Sequence, residues 1–208
     1  LWLIMHRSLL AFVLAMAALA QAHAGDPRIL VLGDSLSAAY GIPLERGWVN
    51  LLQTRLETEG YGYEVVNASV SGDTTGAALT RLPRALELHQ PAIVIVELGG
   101  NDGLRGTPVA QMQRNLASII EKARAVDAEV LVTGVMIPPN YGAEYTARFS
   151  AVYTSLVDEF EVALVRFILD GIALEPSLMP ADGIHPTAAA QPRILDNVWP
   201  ALQPLLSR

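Results

Sequence analysis

Ser35 stands in the run Gly33-Asp34-Ser35-Leu36-Ser37, and Asp182 and His185 stand three residues apart in Asp182-Gly183-Ile184-His185-Pro186. A serine hydroxyl is a weak nucleophile until a neighbouring base takes its proton. The chain has four histidines, but His6 and His23 lie in an apolar leader, so His89 and His185 remain as candidate bases. His89 precedes Gln90-Pro91 at the expected end of a helix, where a solvated or dipole-facing imidazole is the ordinary role. His185 sits in a loop bounded by glycine and proline. One compact turn there brings the Asp182 carboxylate to one ring nitrogen and leaves the other for Ser35. Such a carboxylate holds the tautomer and stabilises the imidazolium formed during attack. Taken singly, Ser35 reads more readily as a helix N-cap, and Asp-x-x-His often marks only a turn.

Acyl transfer also needs hydrogen-bond donors where negative charge develops. Gly72, in Asn67-Ala68-Ser69-Val70-Ser71-Gly72-Asp73, can bring a backbone N–H close because it lacks a Cβ. Asn101, in Gly99-Gly100-Asn101-Asp102, offers a side-chain N–H with no titratable proton, and the Ser35 N–H is a third donor. Each has a structural alternative: Gly72 as a turn, Asn101-Asp102-Gly103 as the approach to a helix. Together the four clusters supply a nucleophile, oxyanion donors, an acid and a base.

The elements that must position these clusters alternate along the chain. Residues 28–32 (RILVL), 64–68, 92–98 (AIVIVEL), 129–136 and 163–165 read as strands. Helical spacing appears over Trp48 to Leu56, Gly76 to Leu88, Val109 to Ala123 and Phe149 to Leu156, and over a last helix from about Ala188 towards Leu205. Pro83 is expected to interrupt the second helix or to start a new one. The alternation implies βαβ units and an α/β fold: a parallel sheet of about five strands covered on both faces. Functional groups in such a sheet collect beyond the carboxyl ends of the strands. Ser35, directly after a strand and Gly-Asp, is expected at or near a helix N-terminus.

The four blocks GDSLS (33–37), Gly72, GGND (99–102) and DGIHP (182–186) resemble those of the SGNH, or GDSL-like, hydrolases. The similarity extends over nearly the whole chain after the leader. It is strongest to the bacterial periplasmic subfamily described as acyl-CoA thioesterase, lysophospholipase and arylesterase, through Gly47-Trp48, Ser71-Gly72-Asp73-Thr74, Glu97-Leu98 ahead of GGND, and Pro139-Asn140-Tyr141-Gly142. The resemblance implies a three-layer α/β/α, flavodoxin-like fold. It also implies catalysis by Ser35, Asp182 and His185, an oxyanion hole of Ser35, Gly72 and Asn101, and a structural role for Asp34. The implied substrates are small-molecule esters or thioesters of acyl chains, with no metal or other cofactor. Position 37 is serine, not the glycine of the Gly-x-Ser-x-Gly elbow of α/β-hydrolases.

Composition sets the outer bounds. The 208 residues suit one buried domain, and 51% hydrophobic with 17% charged residues excludes a disordered polymer. Met5-His6-Arg7, the apolar run from Ser8 to Ala20 and Ala22-His23-Ala24 have the form of a secretory signal peptide cleaved after Ala24. Met5 is a candidate translation start. The expected organisation is a leader at 1–24 and one hydrolase domain at 25–208, periplasmic or secreted, with no stable membrane anchor and a monomer expected. Loss of Arg7 with the leader moves the formal net charge from −7 to −8. An acidic chain without a Lys/Arg cluster is a poor nucleic-acid binder. The absence of cysteine excludes a thiolate nucleophile, a thiolate metal site and a lipid-modified lipoprotein. Two other readings stay open: a carbohydrate O-deacetylase on the same scaffold, and a non-catalytic ligand-binding α/β module. The latter lacks any Gly-x-Gly-x-x-Gly or phosphate-loop fingerprint.

Overall fold

Apolar runs too short for helices and bounded by polar turns form the five strands: β1 (Arg28–Gly33), β2 (Glu64–Asn67), β3 (Ile93–Glu97), β4 (Glu129–Thr133) and β5 (Ala163–Val165). The computed structural model describes residues 25–180 and 182–207. The leader at 1–24 lies outside the described residues. All strand pairs are parallel, in the order β2-β1-β3-β4-β5. The inner strands β1 and β3 are buried almost throughout, which is why they read as continuous Ile/Val/Leu runs.

Among the described residues, six α-helices connect and cover the sheet: α1 (Trp48–Glu59), α2 (Thr75–His89), α3 (Gly100–Leu104), α4 (Val109–Arg124), α5 (Ala143–Phe160) and α6 (Gln191–Leu202). α1 packs with α6 in one layer, and α2, α4 and α5 pack in sequence in the other. Each buries a stripe at helical spacing, such as Trp48, Val49, Leu52 and Leu56 of α1 and Met112, Leu116, Ile119, Ile120 and Ala123 of α4. Burying a large apolar side chain stabilises by roughly 1.5–3 kcal/mol. Among the described residues, no helix is long and apolar enough to cross a membrane.

Several elements differ from the sequence expectation. α2 runs unbroken through Pro83. Pro83 is exposed while Ala78, Leu82 and Leu86 are buried, so core packing along the buried face holds the helix despite the missing N–H. β4 ends at Thr133 rather than 136, because its partner β5 ends opposite at Val165. The last helix begins at Gln191, not 188. GGND does not merely approach a helix: α3 starts within it, at Gly100. Ser35 is not at a helix N-terminus, since residues 35–41 form turns.

The strand order reverses direction between β1 and β3. At such a switch point the loops leaving adjacent strands diverge and open a crevice. The loops after β1, β2 and β3 carry Ser35, Gly72 and Asn101 to that edge.

Candidate active site

The turn after β1 is shaped by its own polar side chains. Asp34 Oδ1 accepts the Leu36 N–H at 3.1 Å, and the Ala38 N–H donates to the Asp34 carbonyl at 2.9 Å. These bonds fold residues 34–38 back over the strand end. A Cβ on Gly33 would come within 2.7 Å of Ser37 Cβ and 2.8 Å of Ser69 Oγ, so glycine is required for the turn to close this tightly. Ser35 is held at the crest.

The loop between β5 and α6 brings the base to it. Asp182 Oδ1 accepts the backbone N–H groups of Ile184 at 3.0 Å and His185 at 3.1 Å, forming the compact turn that Asp-x-x-His suggested. His185 Nδ1 lies 2.8 Å from Asp182 Oδ2, and His185 Nε2 lies 3.0 Å from Ser35 Oγ. With Nδ1 protonated towards the carboxylate, Nε2 is the acceptor for the serine proton. The Ile184 N–H, then the His185 side chain and N–H, pull the Asp182 carboxyl down to about 2, so it is an anion at any working pH.

Gly72, after β2, and Asn101, at the start of α3 after β3, lie at the same edge of the sheet as Ser35. Gly72 adopts φ +85°, a conformation that an L side chain resists, and Arg105 donates to its carbonyl at 2.8 Å. Its N–H and that of Ser35 make no hydrogen bond among the described residues. Asn101 Nδ2 donates one proton to Asp34 Oδ2 at 3.0 Å, which leaves its second proton unspent. His89 sits at the far end of the sheet, where its carbonyl accepts from Arg28 at the start of β1.

Sequence reasoning missed three features. The Tyr40 ring lies against the His185 imidazole, with centroids 4.5 Å apart and planes tilted by 39°. Arg81 of α2 reaches under the loop after β2, bonding Asp73 at 2.7 Å and the Ala68 carbonyl, and extends to the Gly33 carbonyl at the end of β1 at 3.5 Å. Glu97, wholly buried at the end of β3, accepts from Ser37 Oγ at 2.8 Å. Only Glu97 left a visible signal: one acid closing an otherwise apolar strand.

A model of the GDSL-like lipase/acylhydrolase family matches residues 31–192. The chain belongs to this family. Its relatives include esterase TesA of Pseudomonas aeruginosa, 54% identical over 202 residues that cover 97% of this chain and 100% of that one. Another is thioesterase 1/protease 1/lysophospholipase L1 of Escherichia coli (strain K12), 45% identical, covering 86% of this chain and 85% of the relative. Among solved structures, esterase EstA from Pseudoalteromonas sp., inhibited by monoethylphosphonate, superposes with a TM-score of 0.82 at 42% identity, covering 86% of this chain and 98% of that one. Like these relatives, this acylhydrolase is an enzyme, and its parallel five-stranded α/β fold is that of its structural neighbours.

Proposed function

We propose that this acylhydrolase cleaves carboxylic esters and thioesters of acyl chains through an acyl-enzyme on Ser35. The observation that carries the reading is the unbroken chain Ser35 Oγ, His185 Nε2, His185 Nδ1, Asp182 Oδ2, with links of 3.0 and 2.8 Å. Ser35 Oγ attacks the carbonyl carbon as His185 Nε2 takes its proton, and Asp182 stabilises the imidazolium. The unspent N–H groups of Ser35, Gly72 and Asn101 bind the developing oxyanion. His185 then protonates the departing alkoxide or thiolate. Water, deprotonated by the same imidazole, releases the acid. No step calls for a cofactor.

An acyl substrate is supported by the crevice surroundings. Tyr40, Val70, Leu104, Met136, Tyr141 and Ile184 are all exposed on segments at the strand-end edge around Ser35. A concentration of exposed apolar side chains around a polar centre marks a surface that takes an apolar ligand. The names of the relatives, esterase and thioesterase 1/lysophospholipase L1, point the same way.

Ser35→Ala and His185→Ala are each expected to lower kcat by about 10³-fold or more with the fold retained, while His89→Ala leaves it near normal. A p-nitrophenyl ester assay reads this. Ser35→Ala keeping a tenth of the wild-type rate would remove Ser35 as nucleophile. A fluorophosphonate label is expected on Ser35 alone.

The reading includes one hydrolase unit at 25–208, exported by the 1–24 leader. Expressed with residues 5–24 in a Gram-negative host, the protein is expected in the periplasm with Gly25 at its N-terminus, which N-terminal sequencing checks. An uncleaved membrane-bound form as the main product would overturn it.

A further inference from the structure

The geometry points to Glu97 as a positioning residue for catalysis: from beneath the site it fixes the turn that carries Ser35 and, through Asp34, the Asn101 amide. This rests on the reading of Ser35 as nucleophile and Asn101 as oxyanion donor.

The β1–β3 register sets Glu97 directly beside Gly33, so its side chain starts where the nucleophile turn begins. Its Oε2 accepts from Ser37 Oγ at 2.8 Å and from the Asp34 N–H at 3.3 Å. One carboxyl group thus ties down the residues on either side of Ser35-Leu36. Asp34 extends the reach: it accepts the Leu36 N–H on Oδ1 and the Asn101 amide on Oδ2. Nucleophile turn and oxyanion donor therefore share one buried anchor, with Asp34 between them. Asn67 closes the arrangement from β2 by donating to the Ser37 carbonyl at 2.8 Å.

The protonation state of Glu97 suits this work. Burial pushes its carboxyl well above the usual range, and the neighbouring Asp34 charge pushes it the same way. Burial raises the Asp34 carboxyl too, but the Leu36 N–H, Glu97 and the Asn101 amide draw it back towards the charged form, so of the two Glu97 is the one that holds the proton. Among the described residues, Glu97 Oε1 has no hydrogen-bond partner. A bare carbonyl oxygen is tolerable in a core, whereas a buried carboxylate with one bare oxygen is far costlier. The other groups facing the pair leave this assignment intact. Tyr153 of α5, pushed well up by burial, stays neutral and donates to the Leu98 carbonyl, and Asp102 of α3 is engaged by Thr75. His185 lies on the Asp34 side and favours its charged form.

A group that only filled space would be replaced without loss by a hydrocarbon of similar size. The test is a double-mutant cycle on the full enzyme, with Glu97→Gln and Glu97→Leu each made alone and with Asn101→Ala. Glu97→Gln, which keeps a donor and an acceptor, is expected to retain kcat within about threefold. Glu97→Leu is expected to lose about tenfold or more in kcat with KM nearly unchanged, the scale of a misplaced catalytic group. In the Asn101→Ala background the Leu penalty is expected to shrink to less than half of its logarithmic value, because the amide it oriented is gone. If Glu97→Leu does not fold, Glu97→Asp, one methylene too short to reach both partners, takes its place in the cycle with the same expectation. Full kcat in the Leu variant, equal penalties in both backgrounds, or a Gln variant as slow as Leu would each overturn the inference. A Ser35→Ala rate of about a tenth of wild type or more would instead sink the underlying reading, so the two failures are distinguishable.

Discussion

Asn101 has two amide protons and one of them is committed: it goes to Asp34 Oδ2 at 3.0 Å. The other is the donor assigned to the oxyanion. Asn101→Ala is therefore expected to lower kcat by roughly 10²–10³, the usual scale for one such donor, with KM little changed because the bond strengthens as charge develops. Asn101→Asp is nearly isosteric but sets a carboxylate against Asp34 and at the place where the oxyanion forms. Steady-state kinetics should find it at least as damaging as alanine, and near-normal turnover of a folded Asn101→Asp enzyme would remove the residue from the site. At this scale much was legible. Asp182 and His185 are three residues apart and fold onto each other locally, so spacing alone suggested their contact. Tyr40 was not legible, because its place against His185 depends on a loop that returns from the other end of the chain. Glu97 was visible as an odd acid in an apolar strand, but what it touches follows from the β1–β3 register, which no local pattern encodes.

The elements hold the loops to one another through α2. Its first turn leaves backbone N–H groups without helical partners. Thr74 Oγ1 accepts the Ala77 N–H, and the Asp102 carboxylate takes both the Thr75 N–H at 2.8 Å and the Thr75 hydroxyl at 2.7 Å. A carboxylate at a helix N-terminus is further favoured by the helix dipole. Asp102 thereby ties α3, which carries Asn101, to the segment that follows Gly72. Asp102→Ala leaves two donors of a fully buried threonine without acceptors and is expected to destabilise the protein by about 2 kcal/mol. It should also lower kcat, since two oxyanion donors lose their common tether. Denaturant unfolding and kinetics on the same preparation check both effects, with Asp102→Asn expected between the two. An Asp102→Ala protein of full stability would show the link to be dispensable. Apart from the short α3, element type and order followed from apolar periodicity, whereas ends did not. Pro83 stays inside α2 because Leu82 and Leu86 are packed against the core, and β4 stops where β5 does. Both outcomes are decided by tertiary neighbours.

At the scale of the whole molecule, alternating strand and helix patterns announced a parallel sheet, and the resemblance to the SGNH hydrolases implied its flavodoxin-like arrangement, whereas no local pattern encodes the order β2-β1-β3-β4-β5 or the crevice at its reversal. The carboxyl groups at and beneath that crevice make stability depend on pH in opposite directions, Asp182 one way and Glu97, with Asp34 raised by the same burial, the other. Asp182 is held down to about 2 against an ordinary 3.8, first by the Ile184 N–H and then by His185. Its folded state binds fewer protons than the unfolded one, so its contribution is complete above 3.8 and lost as pH falls through about 2. The effect is small because the side chain is 45% exposed and screened. Glu97 does the reverse. Burial raises it well above its ordinary 4.5, so over the range above 4.5 the folded state keeps a proton that the unfolded chain gives up. Each step of pH upward then favours unfolding, until Glu97 ionises in the folded state too. Glu97→Gln removes this titration while keeping the shape. Thermal unfolding followed by circular dichroism should show the two proteins diverging as pH rises above 4.5, with the glutamine variant gaining Tm relative to wild type towards neutrality. A Tm difference that stays constant from pH 4.5 upward would mean that Glu97 ionises as freely in the folded protein as in the unfolded chain, and its place as a neutral anchor under the nucleophile turn would be lost.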